Sequence, residues 1–423
     1  MAPFPEIPSW ITLEHNVAQI LTEQELYGWY FDEPAARELA QALYSELDGL
    51  NRVLRERYPY VAGPEFTPKR PNKTLGYVAG ATLTKLKEFS PTSRDHIAWV
   101  MENLHGWVPD KKTQNGKTAI DETVLKEIGT EESLQFFRCL ELTKHLGMLS
   151  EGNNAWLKLV KNNRIHHHCS VATNTSRCAH RNPNLAQVPS DSEFRKLFRA
   201  TPGYVMVGAD LAGIELRLLA HYLARYDGGR YGDILLNGDI HQENADKIGI
   251  SRRLVKTVTY AFLYGAGDQK IGLSYDPLLS PSAAKSKGAE IRQAYMDAIP
   301  GLEELVTAVK RKATESGEVR AIDGRRIPCD GAHKALNYLL QGSAACVAKQ
   351  WMWIAHVHNY VQGLEGHQLA FVHDELQYEC TPDVANDLKF LLELAATMAG
   401  EEYKLRIPIA AEGKIGSTWA DVH

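Results

Sequence analysis

VMVGADLAGIELR, residues 205–217, decides the fold. An apolar run ends in Asp210, and apolar residues then recur at helical spacing from about Gly213. The pattern predicts a strand that delivers a carboxylate at its tip before the chain turns into a helix. LAFVHDELQYEC, residues 369–380, repeats the device: two apolar stretches flank His373, Asp374 and Glu375. Between the two lies SRRLVKTVTYAFLYGAG, residues 251–267. A step of four residues turns a helix by about 400°, so side chains four apart drift only about 40° around it. Arg252, Lys256, Tyr260 and Tyr264 therefore share one stripe of a helix predicted over about 251–264.

Working outward, residues 32–57 read as a helix, with Asp32 able to cap and Pro34 in the first turn. Residues 58–90, rich in Pro, Gly, Lys and Thr, read as an irregular insertion. SPTSRDHIAWVMENLHG and residues 131–160 are helical patterns, and residues 165–215 turn strand-like. Helices dominate from 216 to about 320, with LSYDPLLSPSAA as a loop, and a long helix spans 333–361. The strands near 165–215 and 369–415 are expected to share one sheet that the helical block interrupts. That is an α+β architecture.

A chain of 423 residues exceeds one compact core, so two or three subdomains are expected. No run approaches the roughly 18 apolar residues of a membrane span, and MAPFPEIPSW carries no signal-peptide pattern. Cys139, Cys169, Cys178, Cys329, Cys346 and Cys380 lack CxxC spacing and read as reduced thiols of a cytoplasmic protein, not as a disulfide frame or zinc site. The formal net charge is −5, but it is unevenly spread. Arg52, Arg55, Arg57, Lys69, Arg70, Lys73, Lys85 and Lys87 face only Glu56, Glu65 and Glu88 within residues 51–90. This segment is either a solvated charged loop or a local phosphate-binding surface.

Taken singly, Asp210 has a plainer reading as a helix cap and Asp374 as a charged hairpin tip. Together, two carboxylates at the ends of adjacent strands suit a pair of Mg²⁺ ions about 3.5–4 Å apart, a clamp on both oxygens of a phosphoryl transfer. The cations of the helix suit a triphosphate, Arg252 by its fork and Lys256 as a point charge. The aromatics suit a sugar or base. His241, in NGDIHQEN, adds a candidate phosphate contact; alone it reads as a surface histidine. In His166-His167-His168 alternate side chains leave opposite faces of a strand, so the three cannot converge on one metal.

With these residues in view, the sequence resembles family A DNA polymerases, specifically the replicative enzymes of podovirus type from the T-odd coliphage group. DLAGIELR, RxxxKxxxYxxxYGAGD, NxxxQG, VHDE, SPTSRDHI, SRCAHRNPNLAQVP and the ending EGKIGSTWADVH carry the likeness. It implies a right-hand fold of palm, fingers and thumb. The subdomains expected are an N-terminal palm-associated segment (1–34), a thumb with a short basic insertion near 58–90 (35–162), a first palm segment (163–222), fingers (223–336) and a second palm segment (337–423). It implies primer extension with dNTPs by two-metal nucleotidyl transfer in viral replication, in the host cytoplasm, with Mn²⁺ able to replace Mg²⁺. Asp210 and Asp374 would bind the metals with the Leu211 carbonyl, and Glu375 would support them. Arg252, Lys256 and His241 would hold the triphosphate, and Lys256 would protonate departing pyrophosphate. Glu215 paired with Tyr260 would wall off the sugar 2′ position, and Tyr264 would stack near the template base. Arg177, His333, Asn337, Gln341 and His373 would meet primer and template. Tyr260, where bacterial polymerase I carries phenylalanine, implies weak discrimination against dideoxynucleotides.

Two departures from the family pattern matter. Thumb-like sequence begins within about 20–30 residues of Met1, so a proofreading exonuclease is expected on a separate protein, unless the chain is a fragment. Separate helicase and primase partners belong to the same picture. The insertion that docks thioredoxin in podovirus-type enzymes looks shortened at 58–90, which disfavours that partner. The rivals are a single-subunit RNA polymerase, against which Glu215 and the Asp374-Glu375 pair argue, a metal-dependent nuclease, and an idle DNA-binding or processivity protein.

Overall fold

The computed structural model describes residues 7–109, 112–113, 115–277 and 279–423. The chain divides into two compact units, Met1–Asp32 with Leu159–His423, and Glu33–Lys158. The second is inserted into the first, and the chain on either side of it is paired. Trp29 and Tyr30 run antiparallel to Ile165 and Arg164.

The larger unit is built on a four-stranded antiparallel sheet in the order His367–Val372, Glu375–Cys380, Val205–Leu211, Ala411–Gly416. Residues distant in sequence thus share one sheet, as expected; the helices Ala385–Glu402 and Ser9–Tyr27 pack on it, and the long helix Ala335–Gln362 packs on those two. The central strand Glu375–Cys380 is buried throughout. Leu376, Tyr378 and Cys380 join the main core on one face. The opposite face carries buried Glu375, Gln377 and Glu379. The two carboxylates on that face are tolerated because they are hydrogen-bonded. Glu379 accepts from Tyr27 Oη, Thr201 N and Thr201 Oγ1. The C-terminal turn Trp419–Val422 lies on this face, and Gly208 makes room for it. A Cβ at Gly208 would stand 2.7 Å from the Gln377 side chain and 2.8 Å from the Val422 carbonyl.

The strand-like reading of 165–215 is corrected in one respect. Only Val205–Leu211 joins the large sheet; His168–Ser170 and Ala179–Arg181 form their own two-stranded hairpin. Strands of three residues are too short to present the alternation that marks a strand in sequence.

The smaller unit has its own core, in which Leu54, Phe89, Ile97, Met101 and Phe136 meet. Two of its helices, Glu122–Ile128 and Glu131–Leu146, start at side-chain caps, with Asp121 accepting from Val124 N and Thr130 from Ser133 N. The basic segment 58–90 is not irregular, as composition suggests. Tyr60–Phe66 and Leu83–Glu88 pair antiparallel as an exposed ribbon. Its mostly polar strands hide the alternation because neither face is buried.

Candidate active site

Asp210 ends the strand Val205–Leu211 and sits opposite Glu375 in the ladder, while the Leu211 N–H donates to the Asp374 carbonyl at 3.0 Å. The two-residue turn His373–Asp374, with His373 at φ 60°, therefore holds Asp374 beside the tip carrying Asp210. Both carboxyls resist ionisation. Burial and the charge of Asp210 raise Asp374 to about 7. Burial and the charge of Glu375 raise Asp210 to about 6. Two close carboxylates without enough compensating charge are a donor set fit for hard divalent cations.

Glu375 differs. Burial opposes its charge, yet hydrogen bonding from His423, Trp419 and Gln377 holds it below the usual carboxylate range. Trp419 Nε1 donates at 2.6 Å, Gln377 Nε2 also donates, and His423 Nδ1 lies at 3.1 Å. With its oxygens thus engaged, Glu375 is anchored to the C-terminal turn.

The helix carrying the cations spans Arg252–Leu263, capped by Ser251 on Leu254 N. Val255, Val258, Thr259, Phe262 and Leu263 are its buried side, so the Arg252–Lys256–Tyr260 stripe is the opposite, accessible one. Tyr264 is the residue just past the helix, and its ring stacks on Tyr260 at 6.4 Å and 21°. The charges of Glu215 and Asp374, after burial, push both tyrosine hydroxyls upward, so the tyrosine end of the stripe lies near these carboxylates.

At the other end of the stripe, Arg252 pairs with Asp239 at 2.7 Å. Asp239 also caps the helix Ile240–Ile248 by accepting from His241 N and Gln242 N. His241 is buried, not the surface histidine that its context suggests, and its ring lies 6.3 Å from Tyr260. Burial lowers its pKa, and the charges of Arg252 and Lys256 push the same way.

Glu215, nearly buried, accepts from Arg177 at 2.7 Å and from Tyr264 Oη at 3.2 Å. The expected partner was Tyr260. Tyr264, whose N–H still donates to the Tyr260 carbonyl at 2.9 Å, makes the contact one turn further along the same stripe. Asn337 Nδ2 donates to the Leu263 carbonyl at 2.7 Å, tying the long helix to the end of the cationic one. His333 and Asn337 line a cavity with Gly265, Ala266, Asp268 and Arg292. Gln341, one turn beyond Asn337, is half-buried. His373 meets the His180 ring at 6.4 Å.

Three features escaped the sequence reading: the Asp239 counter-ion, the hold of Trp419 and His423 on Glu375, and the burial of His167 and His180. The Asp239 cap alone had a visible signal, an aspartate just ahead of a helical pattern.

The profile of DNA polymerase family A matches residues 74–421. The DNA-directed DNA polymerase of Enterobacteria phage T3 is 30% identical over 98% of this chain and 70% of its own length. That of Escherichia phage T7 matches with the same figures. DNA polymerase I of Bacillus caldotenax is 27% identical over 97% of this chain and 46% of its own. Among solved structures, the POL domain of Pol1 from M. smegmatis, in complex with DNA primer-template and dNTP, superposes with a TM-score of 0.78. It is 22% identical and covers 97% of this chain and 70% of that one, a likeness of fold. Family A DNA polymerases use divalent metal ions, which the paired aspartates suit. A strand-borne carboxylate pair, a cationic helix facing it, the family profile and two phage relatives agree: the chain belongs to DNA polymerase family A, and its activity is DNA-directed DNA synthesis.

Proposed function

We propose that this polymerase extends a primer 3′-OH with dNTPs at the site formed by Asp210 and Asp374. The observation that carries the reading is the pair of adjacent carboxyls raised to about 6 and about 7, facing a helix with Arg252, Lys256 and Tyr260 on its accessible side. Asp210, Asp374 and the Leu211 carbonyl would hold two Mg²⁺ ions, which supply Lewis acidity at the attacking and leaving oxygens.

Arg252 and Lys256 bind the triphosphate, and Lys256 hands a proton to departing pyrophosphate. His241, kept neutral by burial, donates one ring N–H to a phosphate oxygen. Arg252 must first leave Asp239. Both contacts are exposed and charge-assisted, so the exchange costs little. Glu215 limits space at the sugar 2′ position, and Tyr264 stacks near the template base.

Arg177 and Gln341 read the minor-groove acceptors common to all four base pairs, which makes them sensitive to shape and indifferent to sequence. His333, Asn337 and His373 border the same primer–template path. By this reading the unit Glu33–Lys158 is the thumb, and its basic ribbon lies along duplex phosphates. The solved neighbour holds DNA primer-template and dNTP, which supports both ligands here. Among the described residues no helix is long and apolar enough to cross a membrane.

Primer extension tests the reading. Mg²⁺ should sustain dNTP addition, chelation should abolish it, and Asp210→Asn or Asp374→Asn should abolish it with folding intact. Preference for rNTPs over dNTPs, or extension by either variant at the parent rate, would overturn the assignment.

A further inference from the structure

We propose that His167, Cys169 and His180 form a second metal site, a zinc site that is separate from the catalytic carboxylates and clamps the hairpin presenting Arg177. The three side chains are 0%, 7% and 9% exposed, and their ligating atoms all lie within 4.8 Å of one another. The hairpin register creates the cluster. Cys169 pairs directly with His180 across the two strands. His167, two residues before Cys169, leaves the chain on the same side, whereas His166 and His168 turn to Glu25 on the helix Ser9–Tyr27.

The donor chemistry separates this cluster from the aspartate pair. Two imidazoles and a thiol are borderline and soft donors, which select zinc over magnesium. Cys169 Sγ and His180 Nδ1 already stand 3.2 Å apart. Gln24 Nε2 lies 3.0 Å from His167 Nε2 and 3.6 Å from Cys169 Sγ. Gln24 Oε1 in turn accepts from Gln368 at 2.8 Å. Rotation of that amide, with the Gln368 amide turning in step so that its oxygen accepts from Gln24 Nε2, would bring the Gln24 oxygen toward the cluster as a fourth, neutral ligand. On the cluster side, His167 Nε2 meets Gln24 Nε2 and His180 Nδ1 meets Cys169 Sγ; the far nitrogens, His167 Nδ1 and His180 Nε2, are buried without a hydrogen-bond partner, which leaves the inner nitrogens as the ones to ligate.

Both histidines are held neutral, burial lowering His167 to about 3 and His180 to about 4, so no proton competes for their nitrogens. Burial raises the Cys169 thiol to about 12, so binding zinc there displaces its proton to solvent, with no change of oxidation state.

The site has a structural consequence for catalysis. Two strands of three residues are marginal by themselves. The loop between them carries Arg177, which reaches Glu215. His180 also touches the His373 ring, next to Asp374. An ion tying both strands together fixes the base of that loop.

The test uses the full chain with any affinity tag removed. After gel filtration in zinc-free buffer the parent should retain one equivalent of zinc. Exchange for Co²⁺ should give a thiolate-to-cobalt charge-transfer band and intense visible bands of tetrahedral cobalt. Cys169→Ser and His180→Gln should each lose that band, and Asp374→Asn should keep it. X-ray absorption on the parent, which needs no variant to fold, should show one sulfur and imidazole nitrogens around zinc. A monodisperse, extension-competent parent that binds no zinc, a coordination shell without sulfur, or an undiminished cobalt band in Cys169→Ser would each overturn the proposal.

Discussion

Replacing Asp374 by asparagine should abolish synthesis while making the metal-free protein more stable. In the folded chain Asp374 titrates near 7, against 3.8 when unperturbed, because it is buried and faces Asp210. A group whose pKa is raised by folding binds its proton more tightly in the native state. Native stability therefore falls as pH rises from about 4 to about 7 and stays low above that. The full rise corresponds to about 4 kcal/mol, and screening at this half-buried carboxyl reduces it to about 2 kcal/mol. Asparagine keeps the shape and removes the charge. At pH 8 in chelator the variant should melt about 3 °C above the parent, taking the larger unit as about 300 residues. At pH 5 the gap should shrink to about 40% of that, roughly 1 °C. Magnesium should reverse the order, since an ion at 100 times its dissociation constant adds about 2.7 kcal/mol to the parent alone. The assay is a pair of thermal scans at each pH, with and without Mg²⁺. A variant less stable than the parent at pH 8 without metal, or a gap independent of pH, would refute the idea that two crowded carboxylates await a cation.

Removing one charged minor-groove donor by Arg177→Ala should slow extension from matched termini by about tenfold in single-turnover assays, and parent-like rates would remove that role. Tyr260→Phe should lower the incorporation ratio of dideoxynucleotides to deoxynucleotides in competition, because the phenolic hydroxyl no longer replaces the missing 3′-OH. Asp239→Asn keeps the helix cap but frees Arg252, so the KM for dNTP should fall by about threefold with kcat unchanged. Glu215→Ala should raise the ratio of rNTP to dNTP incorporation, measured on one template.

The catalytic sheet was legible because two of its strands, Val205–Leu211 and His367–Val372, are largely buried apolar runs that lead into Asp210 and Asp374, a pattern that burial on both faces imposes. The cationic helix was legible for a similar reason: a four-residue repeat fixes a face whatever surrounds it. Contacts made where that repeat ends were not. The spacing puts Tyr260 and Tyr264 on one stripe but does not say which of the two hydroxyls reaches Glu215. Long-range polar pairing was equally hidden. Nothing in the local sequence shows that Lys349, almost fully buried, meets the Glu14 carboxylate at 2.7 Å. The His167–Cys169–His180 cluster depends on a hairpin register, which three-residue strands do not advertise.

The smaller unit leaves and rejoins the larger one through neighbouring strands, Trp29–Tyr30 and Arg164–Ile165, whose antiparallel pairing belongs to the larger unit. A segment anchored by such closely spaced stems behaves as a cassette. Natural variation or a protein engineer can lengthen, trim or exchange Glu33–Lys158 while the strand pairing that closes the larger unit stays intact.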